Sequence, residues 1–318
     1  LQGGVAKTDA ELDAAIAQGI GAIQIDCVEE IARVEARAAS LNRDVPVSLR
    51  LNPSIEADTH AAIATGHDDA KFGIALSNLG SAFEAVATAP HVKLVGLASH
   101  IGSQLTSTGA YFEAVDLVLS IAKEREARGE HFTMLDFGGG FGIDYGKGCA
   151  VRPRDFAEGA CERARRAGFG DRRLVVEPGR ALVGPHGVVV STVVASKRSG
   201  GHHWLIIDAG MNDLLRPALY QARHRIEPLH RAPDAAAPPH RVVGPVCESS
   251  DDFGSYNLCG ELPRRVVIRD TGAYGFTMAS NYNGRGLPSE VFIHADGSVT
   301  ASRAGNGESW AEARLAAR

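Results

Sequence analysis

With 318 residues, 44% hydrophobic and 22% charged, the chain has enough apolar matter for a sizeable core, as two domains or as one barrel with an accessory domain. A net charge of −5 with both signs dispersed argues against nucleic acid or an anionic membrane surface as a partner. No apolar run approaches membrane-spanning length and no basic segment precedes an apolar one at the start, so the expectation is a cytoplasmic protein.

The first residue is Leu1, and the chain enters what reads as the end of a strand over residues 3–6, as if beginning inside a domain. Thr8 and Glu11 have the spacing of a capping box, which predicts a helix ending near Gly19. Residues 22–26 read as a short buried strand, 28–41 as an amphipathic helix and 45–51 as the next strand. A long loop follows over 52–73, carrying His60, His67 and a Lys71-Phe72-Gly73 turn. Beyond it come a helix at 77–88, a strand at 94–99, a helix at 108–128, a strand at 133–137, a helix at 153–167 and a strand at 173–176. Strands alternating with helices of this length imply parallel βαβ units, about six of them, fewer than the eight that close a barrel.

After Gly184 the pattern changes. Residues 188–195 and 204–208 are β-branched runs joined by a hairpin-type connection at 197–201. Short strands are expected at 265–269, 290–293 and 298–301, the last two joined by Asp296-Gly297. The Pro/Ala-rich stretch 228–239 reads as a surface loop. The expected organisation is therefore α/β: an incomplete TIM-like (β/α)8 barrel over residues 1–184, then a mostly antiparallel β-domain over 185–318. Cys27, Cys149, Cys161, Cys247 and Cys259 show no CxxC or CxxxC spacing, which speaks against a disulfide framework or a zinc site. The adjacent His202 and His203 read as a solvated turn, and no metal is expected.

Four polar clusters each follow an apolar strand-like run, so their groups would gather at one end of a sheet. The first is Leu135-Asp136-Phe137-Gly138-Gly139-Gly140-Phe141-Gly142. Three consecutive glycines leave φ unrestricted and allow backbone N–H groups to close around a phosphate, although glycine runs also make ordinary turns. The others are His100-Ile101-Gly102-Ser103-Gln104, Glu177-Pro178-Gly179-Arg180 and Gly244-Pro245-Val246-Cys247-Glu248-Ser249. Glu177 is either a salt-bridged residue at a barrel rim or a carboxylate facing a heteroaromatic nitrogen, as an electron-sink cofactor requires. His100 is either a satisfied rim residue or an imidazole stacked on a flat ring. Cys247 is a small hydrophobe or, beside Glu248, part of a proton-transfer path. Arg216 and Tyr220 lie four apart, so in a helical turn they share a face on which the Arg could hold a carboxylate.

Together these stretches resemble the pyridoxal-phosphate decarboxylases with an alanine-racemase-like barrel, in the diaminopimelate branch. The match runs through residues 4–8, 71–73, 100–104, 136–142, 177–180, 208–220, 244–249 and 272–285, in family order. The resemblance implies a carboxy-lyase that converts meso-2,6-diaminopimelate to L-lysine and CO2 with pyridoxal 5'-phosphate. By the same likeness His100 stacks on the cofactor ring and Glu177 pairs with its nitrogen. Ser103, Gly138, Gly139, Gly140, Gly179, Arg180 and Tyr274 belong to the cofactor site. Arg180, Arg216, Tyr220 and Tyr274 contact substrate, its distal carboxylate falling to the first three. Glu248 holds the distal ammonium, and Cys247 assists protonation. The likeness also implies a homodimer with shared active sites, Cys247 and Glu248 entering the opposite subunit.

Two departures stand against the family pattern. Nothing matches the segment of the first barrel strand that carries the Schiff-base lysine, and Leu1 to Ala6 corresponds to the third strand. The chain is thus expected to lack the first two barrel strands, with its activity alone in doubt and with open strand edges. Lys7 and Lys71 match other family lysines. The link at 259–264 is shorter than in relatives. Alternative readings are an inactive regulatory or partner-binding relative, or a related decarboxylase acting on another amino acid.

Overall fold

The computed structural model describes residues 1–55, 71–148, 151–230, 232–259 and 261–302, which leaves His60, His67 and Cys149 outside the described residues. The chain divides into two compact units, Leu1–Gly142 with Ala150–Gly179, and Ile143–Cys149 with Arg180–Arg318.

The first unit runs α1 (Asp9–Gln18), β1 (Ile23–Ile25), α2 (Val28–Ser40), β2 (Val45–Asn52), β3 (Ile74–Ala75), α3 (Leu79–Ala87), β4 (Val92–Ser99), α4 (Gly109–Glu126), β5 (Met134–Gly139), α5 (Pro153–Ala167) and β6 (Arg173–Glu177). Every pairing is parallel, in the order β1-β2-β4-β5-β6 with β3 beside β2. A strand order that advances with the chain winds in one direction, as in a (β/α) barrel; a doubly wound sheet reverses at a switch point.

Local sequence accounts for these elements. The capping box is formed: Glu11 Oε2 accepts from the Thr8 N–H at 2.7 Å, and Thr8 Oγ1 accepts from the Glu11 N–H at 3.3 Å. That helix stops at Gly19, in the left-handed region at φ 64°. Ile31, Val34 and Ala38 recur at helical spacing and are the buried stripe of α2. All six residues of β5 are buried, whereas β6, which pairs only with β5 among the described residues, is half-exposed. Residues 3–6 are not a strand; a single parallel bridge joins Gln2 to Ile23.

In the second unit α6 (Gly179–Val183, its first residue still in the first unit) precedes β7 (Val189–Ser199), β8 (His202–Ile207), α7 (Arg216–Tyr220), β9 (Ile226–Pro228), β10 (His240–Val243), β11 (Asp252–Tyr256), β12 (Arg265–Ile268), β13 (Glu290–Ile293) and β14 (Val299–Ser302). The sheet order is β11-β10-β8-β7-β12-β9, antiparallel except for the parallel β10–β8 pair, and β13 and β14 form a separate ribbon. Leu205, Ile207, Leu214, Val242, Phe253, Leu258, Val266 and Ile268 make its core.

Strand β10 is the apolar run that precedes Gly244, whereas β9 and β11 fall where no strand was expected. Pro228, assigned to a surface loop, is the last residue of β9 opposite Val266; β9 is an edge strand, where a missing N–H costs no ladder bond. His202 and His203 are strand residues of β8 rather than turn residues. The turn is Gly200-Gly201, with φ 60° and 78°, the pair of positive values that a two-residue hairpin needs.

Candidate active site

The parallel register of the first unit brings the ends of β4, β5 and β6 together. His100 follows β4, Gly138-Gly139 end β5, and Glu177 ends β6 opposite Gly139. The glycines are required by this packing. A Cβ at position 138 would lie 2.2 Å from the Ser99 carbonyl oxygen, at 139 1.8 Å from that of Glu177, and at 140 2.1 Å from that of Gly102. Two of their N–H groups are engaged within the protein: Gly138 donates to Asp136 Oδ1 at 2.9 Å and Gly139 to His100 Nδ1 at 3.2 Å.

Phe141 holds the following loop. It stacks on Phe156 of α5 with centroids 4.4 Å apart and meets the Tyr111 ring of α4 edge-on at 5.3 Å. Leu105 donates to the Gly140 carbonyl at 2.8 Å and accepts from Gly142 at 2.9 Å, which ties the segment after β4 to the glycine run. Ser103 lies half-buried in that segment, between Gly102 and Gln104.

His100 Nδ1 faces both the Gly139 N–H and, at 3.5 Å, Glu177 Oε2. One nitrogen cannot accept from the first while donating to the second, so the contacts are alternatives, and either fixes the ring plane. The His100 ring, by hydrogen bonding, holds the Glu177 carboxyl below the usual range against the burial that would raise it, so Glu177 is ionised at neutral pH. Beneath it, Asp136 accepts from Gln24 Nε2 at 2.8 Å and is fully buried. Burial first, and the Glu177 charge second, push Asp136 up to about 6. Gly3, Gly4, Gln24, Arg50, His100 and Glu177 line a cavity of about 220 Å³. A Cβ at Gly179 would meet nothing within 4 Å.

Neither nearby lysine faces this cavity as a free amine. Lys7 Nζ donates to both Glu30 carboxylate oxygens, at 2.9 and 3.0 Å, and to the Gly4 carbonyl at 2.7 Å. Lys71 is exposed, over the Phe72 ring.

In the second unit the site residues form two groups. Arg180 and Arg216, both buried, meet at Tyr145: Arg180 Nη1 donates to the Tyr145 hydroxyl at 2.7 Å, and the Arg216 guanidinium lies 4.5 Å from the centre of its ring. Tyr274 sits under Arg180 at 4.6 Å, and Tyr220 ends the short helix that Arg216 begins. Burial, followed by the nearby Arg180 charge among the lowering effects, holds Arg216 below its ordinary value. Cys247 and Glu248 form the other group and are exposed; Glu248 accepts from the Tyr282 hydroxyl and, at 3.0 Å, from Ser250 Oγ, which lowers its carboxyl from the ordinary value. Among the residues of these groups, sequence reasoning assigns no role to Asp136, Gln24, Tyr145 and Tyr282.

The family described as "Pyridoxal-dependent decarboxylase, pyridoxal binding domain" matches residues 3–184, and "Pyridoxal-dependent decarboxylase, C-terminal sheet domain" matches residues 110–272. The chain belongs to the pyridoxal-dependent decarboxylases. Within that family, a diaminopimelate decarboxylase of Vibrio cholerae is 39% identical over 298 residues, 93% of this chain and 70% of its own length. The diaminopimelate decarboxylase of Helicobacter pylori, solved in complex with L-lysine, superposes with a TM-score of 0.90 at 31% identity, over 99% of this chain and 78% of its own. A lysine decarboxylase from Selenomonas ruminantium gives a TM-score of 0.74 at 25% identity, over 89% of this chain and 71% of its own. The first unit's donor set fits the cofactor for which this decarboxylase family is named: an ionised carboxylate, Glu177, and a flat imidazole, His100, line one cavity at the strand ends.

Proposed function

We propose that this chain carries out pyridoxal-phosphate-dependent decarboxylation of meso-2,6-diaminopimelate, giving L-lysine and CO2. The observation that carries the choice of substrate is Arg216. It is buried, no carboxylate pairs with it among the described residues, and its one hydrogen-bond partner is an imidazole. A buried cation without a counter-ion is costly unless an anion completes the site, and the second carboxylate of a dicarboxylic substrate is such an anion.

When bound, pyridoxal phosphate supplies the electron sink that accepts the electron pair of the bond to the departing carboxylate. In the first unit, Glu177 is the carboxylate that would face the ring nitrogen, and its lowered pKa keeps it ionised for that task. His100 would offer its flat face to the ring, its plane set by Gly139 or Glu177. Ser103, Gly138, Gly139, Gly140 and Gly179 would serve the phosphate from this unit; with its N–H held by Asp136, Gly138 acts by letting backbone approach closely. In the second unit, Arg180 and Tyr274 serve the phosphate side, and Arg180, Arg216, Tyr220 and Tyr274 contact substrate. Glu248 receives the distal ammonium, and Cys247 Sγ delivers the proton that replaces CO2 on carbon.

Division of labour near residue 184 follows from these roles, cofactor groups mostly before it and substrate groups after it. A homodimer in which Cys247 and Glu248 serve the partner's site suits their exposure, as does the apolar surface of the β13–β14 ribbon, where Val291, Phe292 and Ile293 are exposed. The cytoplasm is the compartment of such a biosynthetic enzyme, and no described helix is long and apolar enough to cross a membrane.

The test is an assay of the chain with pyridoxal phosphate on meso-diaminopimelate, L-ornithine and L-lysine. L-Lysine and CO2 formed in equal amounts from the first, with the monocarboxylic amino acids untouched, is the expected result. Preferential decarboxylation of ornithine or lysine would overturn the reading.

A further inference from the structure

His224 has no role in the sequence reading, yet it is 1% exposed and bridges the Arg216 side chain to the backbone just after β12. Arg216 Nη1 stands 2.7 Å from His224 Nε2, and His224 Nδ1 stands 2.8 Å from the carbonyl oxygen of Arg269. A guanidinium only donates and a carbonyl only accepts, so the tautomer is fixed: Nδ1 carries the hydrogen and Nε2 is bare. The ring is held from a third direction by Tyr145, whose own ring meets it edge-on at 5.1 Å. Tyr145 is also the face on which Arg216 lies and the hydroxyl to which Arg180 donates.

We infer that His224 is a positioning residue for the carboxylate clamp: its bare Nε2 occupies one guanidinium N–H of Arg216 and so aims the remaining donors at the substrate's distal carboxylate. This rests on the reading of Arg216 as the carboxylate receptor. The arrangement has a chemical logic. An acidic partner at position 224 would orient Arg216 equally well but would neutralise it and compete with the substrate anion. A neutral acceptor orients the cation and leaves its charge uncommitted. Burial, with Arg216 and Arg180 adding to it, lowers His224 to about 4 despite the opposing Arg269 carbonyl and Asp270, so the imidazole stays neutral throughout the physiological range.

The test separates the two bonds of the ring. In His224→Asn the side-chain amide falls near Nδ1 and keeps the bond to the Arg269 carbonyl, losing the acceptor for Arg216. In His224→Gln the amide reaches the Nε2 position and restores that acceptor. Calorimetric titration of the chain with L-lysine, which has a carboxylate, and with 1,5-diaminopentane, which has none, reads the clamp without turnover. The expected result is that His224→Asn weakens L-lysine about tenfold and leaves diaminopentane unchanged, while His224→Gln stays within about twofold of wild type for both. Equal losses in the two variants, or no loss in either, would overturn the role of His224. An Arg216→Gln chain that still prefers L-lysine over diaminopentane as wild type does would instead overturn the carboxylate reading of Arg216 itself.

Discussion

Lys7 Nζ lies 2.9 Å from Oε1 and 3.0 Å from Oε2 of Glu30, with side chains 2% and 5% exposed, and Asp26 Oδ2 is 3.9 Å away. With the Gly4 carbonyl as a further acceptor, the ammonium has no lone pair to offer an aldehyde. Lys7→Met would leave Glu30 buried without a counter-charge, whereas Asp26 keeps Arg50 at 3.3 Å, and a cost of about 3–5 kcal/mol in urea unfolding is expected. A variant as stable as wild type, or a pyridoxal adduct trapped on Lys7 by borohydride, would contradict this reading of the pair.

The glycine run depends on packing at a distance from the cavity. Phe141→Ala removes a fully buried ring stacked on Phe156, and a loss of about 3–5 kcal/mol is expected. Thermal unfolding measures it; a loss under about 1 kcal/mol would mean that the loop after β5 is held by its backbone bonds to Leu105 alone.

Asp136 gives the first unit a pH signature. Its carboxyl titrates near 6 when folded, above the value of about 3.9 expected unfolded, so the folded state takes up the proton first. Stability from this group therefore rises as pH falls through 6 towards 4, by up to about 3 kcal/mol, and is lost again as pH rises through 6. Asp136→Asn has no such charge to bury. Its advantage over wild type in denaturant unfolding should be greatest above pH 7 and shrink towards pH 4; a difference that does not change with pH would refute the assignment.

Cys247 carries the proton in this account, and a serine hydroxyl is a far weaker acid. Cys247→Ser is expected to lower kcat about a hundredfold with KM for diaminopimelate nearly unchanged. A rise in KM at constant kcat would move Cys247 from proton transfer to binding.

Much of the first unit was legible because its signals are local. Thr8 with Glu11, Pro153 at the start of α5 and the alternation of apolar runs with amphipathic helices are all set within a few residues of chain. In the second unit β9 and β11 escaped notice, since each is five residues or fewer and carries a residue that reads as a turn former, Pro228 and Gly254. Their identity comes from non-local pairing, Val266 with Pro228 and Val242 with Gly254. The site divides the same way. Glu177 and His100 announce themselves beside strand ends, whereas Asp136–Gln24 is a contact between residues 112 apart, and Tyr145 and His224 become partners of the arginines only through the fold.

The central claim is that the strand ends of the first unit hold pyridoxal phosphate with Glu177 on its ring nitrogen. Its most direct measurement is a spectrophotometric titration of the chain and of Glu177→Gln with pyridoxal phosphate. The account predicts saturable binding of one cofactor per chain, and in Glu177→Gln an affinity about tenfold lower with an absorbance spectrum shifted towards the unprotonated ring. Binding with the same affinity and the same spectrum in both chains, or no saturable binding in wild type, would contradict it.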